Sequence, residues 1–74
     1  MRTQEANGTV KVWHRDEGWG VLTSPDVPED VWVHFSAIEG SGFRSLNEGD
    51  PVMFHYRPAR QDGYSYLAVS VRPI

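Results

Sequence analysis

Within GWGVLTSPDVPEDVWVHF, residues 18–35, aromatic side chains and one histidine stand on two short apolar runs joined by an acidic, proline-containing turn. Successive side chains of a strand point to opposite faces. If Gly20 and Leu22 face inward on the first run and Val31 and Val33 on the second, then Trp19, Val21, Trp32 and His34 share the outer face. Opposed residues on antiparallel neighbours lie about 4.5 to 5.5 Å apart at Cβ, so rings placed there form a platform. An exposed row of rings suits stacking on unpaired bases, which contributes about 1 to 3 kcal/mol per base and tolerates sequence because every base has a π face. Trp13, at the end of an upstream run, would extend the row, and Phe35 is sent toward the core by alternation alone. Rings can also simply cover the ends of a small core, and a protein partner would use the same exposed patch.

Other chemistry finds little support. His14, Asp16 and Glu17 cluster, while His34 and His55 lie elsewhere, and the chain has no cysteine and no His-x-x-x-His spacing to hold zinc. The G-x-S-x-G nucleophile elbow and the G-x-x-x-x-G-K-[ST] phosphate loop are both absent. Neither metal, cofactor nor catalysis is therefore expected. The enzyme alternative would require metal-dependent turnover that depends on His14 or His34.

The elements that must carry the rings are strands. Residues 9–14 (TVKVWH), 19–24 (WGVLTS) and 30–35 (DVWVHF) are rich in β-branched and aromatic residues and are bounded by turn signals. Residues 51–58 (PVMFHYRP) predict a fourth strand, with Val52, Phe54 and Tyr56 on one face, and ARQDG a polar turn after it. Residues 64–73 (YSYLAVSVRP) predict a fifth, in which Leu67, Val69 and Val71 alternate on a single face. Between the third and fourth strands, Ser36 is placed to cap one helical turn over Ala37 and Ile38, and nearby glycines forbid more. Five strands without a long helix predict an all-β fold, a small five-stranded antiparallel barrel, since closure removes the sheet edges.

With 74 residues there is room for one domain, residues 1–74, with a small core. Absence of cysteine fits a reducing cytoplasm. No run of apolar residues is long enough for a membrane span or a signal peptide. Seven Lys and Arg against ten Asp and Glu give a formal charge of −3. A polyanion binder that relied on phosphate contacts would carry a basic excess. Any nucleic-acid contact must rest on bases.

The run from Gly8 to Leu22, GTVKVWHRDEGWGVL, then DVWVHFSAI from Asp30 and GFRSLNEG from Gly42, resembles a bacterial cold-shock domain over nearly the whole chain. EGWGVL occupies the place of the first ribonucleoprotein motif of that family and VWVHF that of the second. The resemblance implies a barrel of oligonucleotide-binding (OB) type, single-stranded RNA or DNA as partner, and action as an RNA chaperone or as a regulator of transcription or translation. It carries base stacking onto Trp19, Trp32, His34, Phe35 and Phe43, a phosphate or sugar contact onto Lys11, and a base-edge contact onto Asp30. Arg44 takes a family lysine position, Arg60 adds local positive charge, and Tyr64 offers a further ring at the platform's edge. Trp13 and His14 take the places of a family phenylalanine and a polar residue. Three departures weaken the pattern: Val12 replaces a stacking tryptophan, Val21 an aromatic, and Glu17 a lysine. Weak binding by a monomer is expected, with a homodimer left open. The alternative is a divergent cold-shock domain used as a protein-interaction module in transcription regulation.

Overall fold

The computed structural model describes residues 3–39 and 45–74. Five strands, β1 (Gln4–His14), β2 (Trp19–Thr23), β3 (Val31–His34), β4 (Pro51–Gln61) and β5 (Tyr64–Pro73), close into a barrel in the order β1-β2-β3-β5-β4. The five predicted strands are present, and the barrel is of the expected oligonucleotide-binding kind. Its seam differs from a wholly antiparallel design: β3 and β5 run parallel, with Trp32 opposite Leu67. β5 turns back on β4 through a tight hairpin, and closing the barrel brings it beside β3 in the same direction as that strand.

β4 runs on through residues 59–61, which the sequence places in a turn. The hairpin is the pair Asp62 and Gly63, at φ 51 and 86, the positive-φ pair that an Asp-Gly turn supplies. β1 likewise begins earlier than expected, because residues 4–9 pair with residues 51–56 of β4.

Leu22, Val31, Val33, Val52 and Phe54 are fully buried, and with Val10, Tyr56, Ala68 and Val71 they fill the barrel. These are the inward sets that alternation assigns to β2, β3 and β4. On β5 alternation fails. A bulge shifts the pairing between His55–Ser70 and Tyr56–Ala68, and Val69 is left exposed at 39%. Such an extra residue inverts the faces that follow it. Val71 and Ala68 are therefore buried, while Leu67 sits outside opposite Trp32, so Leu67, Val69 and Val71 do not share one face. After β3 a single 3-10 turn covers Phe35–Ala37. Its N-cap is His34, whose ring accepts from the Ser36 N–H, whereas the sequence assigns that role to Ser36.

Candidate nucleic-acid interface

The rings gather where β1, β2 and β3 lie side by side. β2 pairs with β3 through Trp19–His34 and Val21–Trp32, and with β1 through His14–Trp19 and Val12–Val21. Trp19 and Trp32 lie near-parallel at 19°, ring centroids 6.0 Å apart, and Trp32 and His34 at 20° and 6.1 Å. His34 leans on Phe35 at 4.6 Å, and His14 contacts Trp19 at 4.2 Å. A continuous path of rings thus runs His14, Trp19, Trp32, His34, Phe35.

The openness of these rings differs. Phe35 is exposed at 42%, contrary to its alternation-based assignment to the core. The reason is that the strand ends at His34 and the 3-10 turn redirects the next side chain. Phe35 then lies on Gly18, whose φ of +77 and absent Cβ make room for the ring. Trp19 and His34 are half-buried. Trp32, by contrast, is 8% exposed, and its Nε1 is buried with no hydrogen-bond partner among the described residues. Val21, at 2%, is covered by its neighbours and offers no open surface.

Trp13 does not extend the row. The register shifts between Val10 and Val12, and this bulge at Lys11 inverts the downstream faces of β1. Trp13 therefore points inward, against the core, over Gly20, where any Cβ would collide with its ring. The same inversion turns His14 outward. Trp13 instead lines a cleft of about 350 Å³ with Gly18, Phe35 and the side chains of Arg15, Asp16 and Glu17. A second, shallow pocket of about 440 Å³ lies between Trp32, His34, Leu67 and Val69.

The charged margin is internally engaged. Lys11 Nζ meets Asp30 Oδ2 at 2.6 Å, both partly exposed. The hydrogen bond to Asp30, with its negative charge, raises the Lys11 ammonium above the usual lysine range, and Tyr64 adds a smaller push in the same direction. Arg15 donates to Asn47 Oδ1 at 3.3 Å, and Glu17 Oε1 accepts from the Trp19 indole N–H at 2.8 Å. Arg60 is exposed near the β4–β5 hairpin, and Tyr64 is half-buried at the start of β5. Phe43 and Arg44 lie outside the described residues. Among the described residues no cluster of His, Asp and Glu is arranged to hold a metal ion, and no helix is long and apolar enough to cross a membrane.

A sequence profile described as the 'Cold-shock' DNA-binding domain matches residues 6–72. The chain belongs to the cold-shock domain family. It is 47% identical over 58 residues to the "Major cold shock protein" of Micrococcus luteus, an overlap covering 78% of this chain and 81% of that protein. It is 52% identical over 48 residues to "Cold shock protein 1" of Lactiplantibacillus plantarum, covering 65% and 71%. The "Cold shock-like protein CspC" of Escherichia coli (strain K12) is 46% identical over 56 residues, covering 76% and 75%. Nucleic-acid binding is the family's property, and the row of rings lies on the motifs that carry the resemblance. Of its members, His14 was missed as a ring of the row. The signal was its place opposite Trp19 in a hairpin, hidden by the bulge two residues upstream of Trp13.

Proposed function

We propose that this cold-shock domain binds single-stranded RNA or DNA by stacking unpaired bases along Trp19, His34 and Phe35, and acts without catalysis. The observation that carries the reading is the unbroken path of rings on the outer side of β2 and β3, with centroid steps of 6.0, 6.1 and 4.6 Å from Trp19 to Phe35. Trp32, at 8% exposure, links Trp19 to His34 within this path and offers little open surface of its own. To this path we add, from the sequence, a phosphate or sugar contact at Lys11, a base-edge contact at Asp30, local positive charge at Arg60 and a further ring at Tyr64, with Phe43 and Arg44 completing the set by the family pattern. Trp13 contributes from the inner side, as the wall of the cleft that faces Phe35.

Because the margin is acidic and Lys11 is paired, few phosphates are neutralised, about two to four, and the log-log salt slope is shallow at about −1.4 to −2.8 for a single strand. A ligand that binds only the unpaired form pulls weak hairpins toward it by mass action. RNA chaperone action, or regulation of transcription or translation, is the role we infer from that preference, for a protein we take to be monomeric and cytoplasmic.

The deciding test is tryptophan fluorescence during titration with heptathymidine at low salt, against a blunt duplex. Saturable quenching by the single strand alone supports the reading. No response at high micromolar strand would turn attention to the second reading, a protein-interaction surface, which the burial of Trp32 and Val21 favours.

A further inference from the structure

The chain has three histidines, and two of them are tied down. His34 Nδ1 is engaged by the Ser36 backbone N–H and hydroxyl, and His55 Nδ1 lies 3.1 Å from Ser70 Oγ with its Nε2 3.7 Å from Glu5. His14 is different. Its side chain is exposed, its ring centroid stands 4.2 Å from that of Trp19, and its ring nitrogens have no hydrogen-bond partner among the described residues. Its position is nonetheless fixed. The Lys11 bulge sets it on the outer face opposite Trp19, and its carbonyl accepts from the Glu17 and Gly18 N–H groups at 3.1 and 2.8 Å, closing the turn to β2.

We propose that His14 is a nucleotide-binding residue, forming an additional stacking position that carries the single-strand path from β2 onto β1. This rests on the reading of the protein as a single-strand binder and extends it. At 4.2 Å the His14 and Trp19 rings are in direct contact, so no base enters between them. The next base along the strand stacks on the outward side of the imidazole, and the free ring nitrogens face its edge or the adjoining phosphate. Val12, one residue before Trp13, is paired with the covered Val21 and supplies no such surface, so the aromatic contribution of β1 to the row comes from His14. The flanking charges are Arg15, held by Asn47, with Asp16 and Glu17 in the turn. Glu17 is itself occupied by the Trp19 indole.

The test compares wild type, His14→Asn and His14→Phe in titrations with oligothymidines of increasing length, with urea unfolding as a check on the fold. Asn keeps polarity and loses the ring, whereas Phe keeps the ring. Stacking predicts that His14→Asn loses about fivefold or more in affinity for long strands. It also predicts that its affinity reaches its plateau one nucleotide earlier, and that His14→Phe matches wild type in both respects. Equal behaviour of His14→Asn and wild type at every length overturns the inference while leaving single-strand binding intact. Equal losses in both variants overturn it too, because the ring would then be irrelevant. Absence of any wild-type binding removes the stacking reading and this inference together.

Discussion

The indole N–H of Trp19 donates to Glu17 Oε1 at 2.8 Å, so the one acidic residue that replaces a family lysine in the first motif holds the ring that links His14 to Trp32 in the row. Charge and position then act in opposite directions. The carboxylate repels a phosphate, and it keeps the indole near-parallel to Trp32. Removing it with Glu17→Gln keeps an acceptor and drops the charge, and Glu17→Ala drops both. At low salt both variants are expected to bind a single strand more tightly than wild type. At about 1 M salt, where the Debye length falls to about 3 Å, the repulsion is screened. There Glu17→Ala is expected to bind more weakly, by the about 0.5 to 1.5 kcal/mol of one hydrogen bond, with Glu17→Gln equal to wild type. Identical curves for the two variants across the salt range would show that the bond does not position Trp19.

Trp32 is the row's foundation, and its substitution reads out as stability. At 8% exposure it packs between Trp19, His34 and Leu67. Truncating a buried tryptophan to alanine costs about 3 to 5 kcal/mol, comparable to the whole stability of a domain this small. Trp32→Ala is therefore expected to be largely unfolded by circular dichroism. Trp32→Phe removes the unpartnered Nε1 donor together with some volume, and the two effects offset, leaving a change within about 1.5 kcal/mol in urea. A folded Trp32→Ala with unimpaired stability would mean that the ring is not part of the packing.

The inner faces of β2, β3 and the first half of β4 were legible in the sequence because each keeps alternation there: Leu22, Val31, Val33, Val52 and Phe54 all lie inside as the pattern requires. What could not be read were the bulges that re-aim the rings and the core of β5. Each inserts one unpaired residue, Lys11 on β1 and Val69 on β5, and everything beyond it changes face. Trp13 and His14 exchange roles at the first, and Leu67 leaves the core at the second. Alternation carries no mark of a bulge when both faces hold apolar residues, as in VKVWH and LAVSV. The parallel seam between β3 and β5 was equally hidden, since the pairing of distant strands is set by barrel closure.

Lys11 and Asp30, two residues with separate binding roles by the family pattern, hold one another at 2.6 Å. An exposed pair of this kind is screened by water and contributes little to stability, so Asp30→Asn is expected to leave the unfolding midpoint nearly unchanged. With its partner neutralised, Lys11 becomes available to phosphate, and the log-log salt slope steepens by about 0.7. An unchanged slope would indicate that Lys11 does not reach the strand. The pH dependence has a fixed sign. A lysine raised above its ordinary 10.5 keeps its stabilising charge below that value and loses it only as pH rises through the higher folded one. Titration of Lys11 therefore produces no change in binding between about pH 7 and pH 9.

Gly18 links the backbone of the turn to the exposed end of the row. Its φ is +77, its carbonyl accepts from the Phe35 N–H at 2.8 Å, and an added Cβ would stand 2.9 Å from Phe35 Cδ1. Gly18→Ala is expected to cost about 1 to 3 kcal/mol in stability from the left-handed backbone alone. It also pushes the Phe35 ring off its seat and away from His34, which it now meets at 4.6 Å. The two costs separate in a double-mutant cycle with Phe35→Ala. The stability loss from Gly18→Ala persists in either background, because it belongs to the backbone. The loss of single-strand affinity appears only when Phe35 is present, because it belongs to the ring. An equal affinity loss in both backgrounds would show that the turn acts on binding by some route other than the placement of Phe35.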